Sequence, residues 1–326
     1  MQLTVDGKTV EAKKGQSLRE LVCGLGLDRE QLSQRPLAAR IAGEVFTLNY
    51  IPLRDKDGEG DRPSMRRAMA ASGGNIRLLR IKDSAGRDVY VRTGQFVVFL
   101  ALRQLWPEAV STMDCTLGSS AFISVTGAKD FSVSRLKAQV EQIVAQDIPL
   151  LRHRAKKEEA IARFAAEGQG DKARLLQWRS LEYCSEYSYG DYTDNFYGEM
   201  APSTGYLSVW DILPADGGFL FVYPDELEPD RPAKLSPMPQ FFSVFTEGER
   251  WCRLMNCENV ADLNELTASG KIRELIRVNE ALHEKRFSQV ADMVCSRGAK
   301  AVLLAGPSSS GKTTSAHRLA TQLRVY

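Results

Sequence analysis

Over the first fifty positions the hydrophobic pattern changes period in a fixed order. Leu3 and Val5 alternate with polar neighbours, the rhythm of a half-buried strand, and Asp6-Gly7 marks a tight turn into a second strand around Thr9 to Ala12. The period then lengthens to that of a helix. Leu18, Leu21 and Val22 form an apolar stripe, Ser17 and Glu20 have capping-box spacing, and Gly24 supplies a stop. Further strands fall on Ala38 to Ala42, Val45 to Leu48 and Ile76 to Ile81. Two hairpins around one helix is the pattern of a β-grasp module. Between Arg54 and Asn75 the chain is polar and Gly-rich with no apolar period, which predicts a long mobile loop. Its Arg66 and Arg67 either touch an anion or are simply solvated.

A larger α+β block follows from Asp88. Gly94 to Leu105 has helical spacing and stops at Trp106-Pro107, and Phe122 to Val125 reads as a short strand. A long helix starts near Ser134 with Leu136, Val140, Ile143 and Val144 on one face, and the charged segment Arg152 to Glu167 is predicted to be helical as well. Tyr183 to Tyr197 is dense in aromatics: Tyr183, Tyr187, Tyr189, Tyr192, Phe196 and Tyr197 are interleaved with Asp191 and Asp194. It reads either as a stacking platform for bases or as a packed aromatic wall. The absence of interleaved Lys and Arg favours the wall. Residues 218 to 223 form a strand, Pro224 to Pro239 suits a domain boundary, and Phe241 to Cys295 reads as a helical connector with Ile272, Leu275, Ile276 and Leu282 at helical spacing.

Composition narrows the classes of function. The 326 residues are 43% hydrophobic and 26% charged, a globular balance, and 43 Lys and Arg against 41 Asp and Glu leave a net charge of only +2. No global positive excess speaks for nucleic acid or an anionic membrane, so phosphate binding has to come from a local site. The six cysteines contain no CxxC pair, the amino terminus has no apolar signal core, and the longest apolar stretch, Phe96 to Leu102, is too short to span a bilayer. A cytoplasmic, reducing setting is the expectation.

One motif carries strong chemistry. Residues 301 to 314 read AVLLAGPSSSGKTT, with an apolar strand expected over Val302 to Ala305 ahead of Gly306. A polyphosphate needs several backbone N–H groups converging at a helix amino terminus, and Gly306 and Gly311 give the loop the freedom to present them, with Ser308, Ser309 and Ser310 between. Lys312 would reach the β- and γ-phosphates, the Thr313 hydroxyl would take Mg²⁺, and Thr314 would cap or touch the α-phosphate. ATP and Mg²⁺ are the cofactors such a loop predicts. Ala316, Leu319, Ala320 and Leu323 form the apolar stripe of the following helix, expected to pack on a sheet with His317 and Arg318 outward. Only thirteen residues follow Thr313, whereas phosphoryl transfer needs a second Mg²⁺ ligand, an activator and a lid. The chain is therefore read as truncated soon after the loop and catalytically incomplete.

Three stretches, APSTGYLSVWDILP at 201 to 214, NVADLNELTASGKIRELIRVNEALHEKR at 259 to 286 and VLLAGPSSSGKTTSAHRLATQLRV at 302 to 325, carry a family resemblance. The sequence resembles the amino-terminal part of bacterial uridine kinase-like proteins, in which a threonyl-tRNA synthetase-like front end precedes a kinase of the phosphoribulokinase/uridine kinase class. The resemblance implies an α+β chain with four parts. These are a TGS-like β-grasp domain over 1–84, a domain like the second additional domain of threonyl-tRNA synthetase over 88–235, a helical connector over 236–295, and the start of an α/β P-loop kinase over 296–326. It further implies ATP-dependent phosphorylation of the 5′-hydroxyl of a uridine-like nucleoside, with Lys312 as the catalytic residue. The synthetase domain has an HxxxH pair and a later Cys-to-His pair, and the equivalent positions here are Arg92, Phe96, Phe196 and Met200, none of them a metal ligand. Zinc-dependent or editing-type deacylation is thus expected to be lost. The Asp55 to Gly74 loop is also longer than the family's usual hairpin. The alternative function is a tRNA- or ligand-binding, regulatory module derived from the synthetase. A plainer one is a structural role for the front domains in homo-oligomerisation or docking.

Overall fold

In a computed structural model of the chain, residues 2–28, 31–52, 68–190, 192–236 and 239–326 are described, and they form an α+β fold. The predicted loop residues Arg66 and Arg67, and Asp191 of the aromatic segment, lie outside the described residues. The chain divides into two compact units, Met1–Ala160 with Leu181–Pro237, and Ile161–Ser180 with Met238–Tyr326.

The first unit opens with β1 (Gln2–Val5), β2 (Lys8–Glu11), α1 (Leu18–Gly24), β3 (Ala38–Ile41), β4 (Glu44–Thr47) and β5 (Asn75–Leu79). The five strands make one sheet in the order β2-β1-β5-β3-β4, with β1 and β5 parallel at its centre and antiparallel hairpins on either side. This is the β-grasp arrangement that the hydrophobic periods predict. Helix α1 starts on the expected capping box: the Glu20 amide donates to Ser17 Oγ at 3.2 Å and the Ser17 amide donates to Glu20 Oε2 at 2.7 Å. Leu18, Leu21 and Val22 are buried, and with Leu3, Val5, Ile41, Phe46 and Ile76 they form the core of this sheet. Residues 68–71, within the stretch read as loop, form a helical turn that buries Ala68 and Met69.

The rest of the first unit is built on α2 (Ser84–Leu105), β6 (Val110–Thr116), β7 (Ser120–Thr126), α3 (Val133–Ala145), β8 (Arg152–Lys156), β9 (Tyr183–Tyr189), β10 (Tyr192–Asn195), β11 (Asp211–Ala215) and β12 (Gly218–Val222). Strands β11-β12-β7-β6 make a four-stranded antiparallel sheet and β10-β9-β8 a three-stranded one. The segment Arg152 to Lys156 was expected to be helical and is a strand. Its five residues pair in register with Tyr183 to Tyr187 of β9, a long-range ladder that outweighs a local preference for helix. Helix α4 (Lys157–Ala166) begins only after it. The front sheet is fastened to this region by Asn49, whose side-chain amide donates to the Pro202 carbonyl at 2.8 Å, and by Arg35, whose guanidinium lies 3.8 Å over the Tyr206 ring.

In the second unit α4 continues, followed by α5 (Gly170–Gln177), α6 (Pro239–Leu254), α7 (Val260–Ala268), α8 (Ile272–Ser296) and α9 (Lys312–Leu323). The helical connector of the sequence is thus three helices, α6 to α8. Asn259 and Asp262 form a reciprocal capping box at the start of α7, and Arg174 of α5 bonds Asp262 at 2.8 Å and Glu265 at 3.1 Å. Helix α9 lies along α8 through Arg318, 2.8 Å from Glu284, and Gln322, 3.1 Å from the same carboxylate. Arg318 is exposed, as expected, and from that outward position also pairs with the neighbouring helix. Of the stripe expected to pack on a sheet, Leu319 is buried while Ala316 and Ala320 are exposed.

Candidate functional sites

The phosphate-loop residues are brought together at the amino end of α9. Gly311 stands just ahead of the helix at φ 77°, a left-handed conformation that strains any side chain, and turns the chain so that the first amides of α9 face the loop. Ser309 is also left-handed, at φ 61°. A Cβ on Gly306 would lie 2.8 Å from Ser310 Oγ, so a side chain there would oblige the Ser310 hydroxyl to turn away. Lys312 reaches back across the loop, its Nζ donating to the Gly306 carbonyl at 2.8 Å and to the Pro307 carbonyl. The ammonium thus sits over the mouth of the loop beside the helix amino terminus, the place where a cation and free N–H groups act together on an anion. Ser308, Thr313 and Thr314 are exposed. The chemistry of this set fits polyphosphate: glycine-permitted amides, one lysine, and hydroxyls for a hydrated Mg²⁺.

One part of the motif departs from expectation. Val302 to Ala305 form no strand, and Leu303 is 94% exposed. A strand is defined by its hydrogen-bonded neighbours, and among the described residues none pairs with this segment, so apolar, β-branched composition alone does not make one.

The second candidate site lies in the first unit, where the synthetase resemblance places Arg92, Phe96, Phe196 and Met200. Arg92 and Phe96 are one turn apart on α2, and the structure brings all four into one neighbourhood around Tyr187 of β9. The Phe96 ring is fully buried, with centroids 5.4 Å from Tyr192, 6.1 Å from Phe196 and 6.4 Å from Tyr187. The Met200 amide donates to the Tyr187 hydroxyl at 3.2 Å, and Arg92 Nε donates to the Glu199 carbonyl at 3.0 Å. Gly198 is left-handed at φ 128°, and a Cβ there would come within 2.7 Å of Arg92 Cζ. Below the rings, Arg152 pairs with the buried Glu199 carboxylate at 2.6 Å. Burial, and after it the charge of Glu199, pushes the Tyr187 phenol well above its ordinary range and keeps it protonated. Sequence reasoning named the four positions, and Tyr187 within the aromatic segment, but missed Arg152 and Glu199; the β8–β9 ladder that sets Arg152 opposite Tyr187 is non-local. Among the described residues, no group of three or more His, Cys, Asp or Glu side chains could hold a metal ion.

The aromatic segment divides. Tyr187 is buried, while Tyr189, Tyr192 and Phe196 are partly buried against the core, as a packed wall requires. Tyr183 and Tyr197 are exposed, and Arg154 lies 4.3 Å over the Tyr183 ring, a basic partner contributed by the neighbouring strand β8 and not by the segment itself. Among the described residues no helix is long and apolar enough to cross a membrane.

No family model matches the chain. Among curated proteins its relatives include threonine–tRNA ligases. That of Symbiobacterium thermophilum is 26% identical over 218 residues, covering 66% of this chain and 30% of the ligase. That of Clostridium kluyveri is 22% identical over 218 residues, with 66% and 31% covered, and that of Carboxydothermus hydrogenoformans 26% over 154 residues, with 46% and 24% covered. The chain thus spans about 30% of the length of the ligases it matches. These relatives correct the expectation of an enzyme of the uridine kinase family: they are aminoacyl-tRNA ligases and not nucleoside kinases. About two thirds of the chain is similar to threonine–tRNA ligase, and its α+β architecture agrees with a β-grasp domain followed by a synthetase-like domain.

Proposed function

We propose that the chain is a binding module derived from a threonyl-tRNA synthetase, without zinc or editing chemistry, and that its carboxyl-terminal loop binds the phosphates of ATP. The observation that carries the first part is the filling of the ancestral site. At the positions where the resemblance puts His and Cys, this chain has Arg92, Phe96, Phe196 and Met200, and the space is taken up by packed rings and a buried ion pair. Such a centre positions strands and activates no water. The relatives' names point to tRNA as the ligand, and phosphate recognition by a local cluster of arginines is compatible with the small net charge. Gel-shift titration with tRNA at low ionic strength tests it: a shift that fades as salt rises supports the reading, and no shift at low salt removes tRNA as the ligand. Incubation with aminoacyl-tRNA should release no amino acid, with or without added Zn²⁺.

For the loop, Gly306, Ser308, Ser309, Ser310, Gly311 and Lys312 would hold the polyphosphate, Thr314 would touch the α-phosphate, and Thr313 would hold Mg²⁺ together with phosphate oxygens and water. When bound, the metal supplies charge neutralisation; the chain's own part is the amides of α9 and the Lys312 ammonium. Lys312→Ala should weaken ATP binding at least about tenfold, the scale of one lost charge-assisted contact. Equal affinity in the variant and the parent would remove the loop from the binding site.

A further inference from the structure

We propose that the outer face of the five-stranded sheet carries an oxyanion site, built on Arg40 and Arg77, that takes the phosphate group of a small phosphorylated ligand. The inference deepens the binding-module reading and rests on it. Arg40 of β3 and Arg77 of β5 are direct cross-strand partners in an antiparallel pair. Residues so placed project from the same face with their Cβ atoms about 5 Å apart, and like charges in that position repel. The neighbouring register positions Ala39 and Leu78 are buried on the opposite, core face, so the pair is fixed on the outer face by the pleat. An open groove of about 230 Å³ lies there, lined by Arg40, Ala42, Gly43, Ser72, Asn75 and Arg77. None of the six is acidic.

Among the described residues one carboxylate, that of Asp83, pairs with these two guanidinium groups. Asp83 meets Arg77 Nη2 at 2.6 Å, but the same carboxylate also accepts from the Arg80 amide at 2.9 Å. Arg40 Nε is buried and has no hydrogen-bond partner among the described residues. A buried donor of that kind costs stability unless something accepts from it, and a guanidinium fork accepts oxyanions in a geometry that its five donors match. Two guanidinium groups on facing strands, with only Asp83 among the described residues pairing with either, are arranged to hold an external anion. The groove is smaller than pockets of about 300 Å³ and above that enclose whole organic ligands, so it suits one or two phosphate groups and leaves the remainder of the ligand outside.

Titration calorimetry with inorganic pyrophosphate at low ionic strength tests the proposal, on the full-length chain carrying Lys312→Ala so that the carboxyl-terminal loop does not contribute. Saturable binding should persist in that background, Arg40→Gln or Arg77→Gln should each weaken it about tenfold, and the double substitution should abolish it. Removing one of two opposed charges relieves repulsion, so the thermal midpoint of Arg40→Gln without anion should be no lower than the parent's. Binding lost at an unchanged midpoint is therefore loss of the site and not of the fold. No pyrophosphate binding in the Lys312→Ala chain, or unchanged affinity in the arginine variants, overturns the proposal. If instead tRNA affinity falls in Arg40→Gln while pyrophosphate does not bind at all, the groove reads a nucleic-acid backbone and the small-ligand assignment is overturned. Pyrophosphate binding that depends on both arginines while tRNA fails to shift leaves this site standing and tRNA excluded.

Discussion

Glu199 sits in a packed centre where two opposite charges are buried together. Its carboxylate is buried, and Arg152 beside it is only 17% exposed, so each charge offsets much of the other's desolvation. Arg152→Leu should destabilise the chain by about 3–5 kcal/mol because it removes the ion-pair partner of a buried carboxylate, while Arg152→Leu with Glu199→Leu should recover most of that loss. Urea unfolding of the two variants decides it; equal losses would mean that the pair contributes no coupling. Gly198→Ala acts on the same cluster, since the new methyl meets both an unfavourable φ and the Arg92 guanidinium. The sequence alone reveals that Arg92, Phe96, Phe196 and Met200 are not metal ligands, because that depends only on residue type. Arg152 and Glu199 stand 47 positions apart, and their meeting depends in part on the β8–β9 register that places Arg152, which no local pattern encodes.

At the scale of elements, what was legible is what is local. The Ser17–Glu20 box, the Asp6-Gly7 hairpin turn and the α2 stop at Trp106 are set by neighbours in sequence, and each is found where the spacing puts it. Strand β8 is the counterexample: RHRAK is charged and would suit a helix, and only pairing with Tyr183 to Tyr187 makes it a strand. The Val302 to Ala305 segment is the converse, apolar and β-prone yet with no strand beside it among the described residues. Capping also gives a pH signature in the second unit. Partial burial pushes the Asp262 carboxyl up, but its hydrogen bonds from Arg174 and from the amides of Asn259 and Glu258 outweigh this and hold it below its ordinary 3.8. A depressed carboxylate stabilises the fold above its unfolded value and loses that contribution as pH falls through the folded one. Helix α7 should therefore fray between pH 4 and lower values, and Asp262→Asn should flatten that dependence; a titration of circular dichroism in parent and variant checks it. Ser17→Ala should cost about 1 kcal/mol in the β-grasp sheet through lost capping of α1, read from the denaturation midpoint.

Across the whole molecule, apolar burial is unevenly divided between the two units. The first contains nearly all of the contiguous core, from Leu3 to Tyr223. In the second, the buried hydrophobic side chains among the described residues are Phe164, Ala173, Leu176, Ala261, Ala291 and Leu319, three of them alanines, while Val244, Leu254, Ile276, Leu303 and Val325 are exposed. Since burial of apolar area is the main favourable term in folding, protection against local opening should follow it. Amide hydrogen exchange followed by mass spectrometry should show the central strands β1, β5, β7 and β12 exchanging last, the helices α6 to α9 orders of magnitude sooner, and residues 301–307 at rates close to an unfolded chain. Binding ATP to the loop should slow exchange selectively at the first turn of α9, because a ligand held by Gly306 to Thr314 stabilises only states in which those amides converge. Equal protection in both units would show that the helical unit draws stability from interactions other than apolar burial. Slowed exchange confined to β3 and β5 on adding ATP would instead place its phosphates in the Arg40–Arg77 groove and leave the loop without a role in binding.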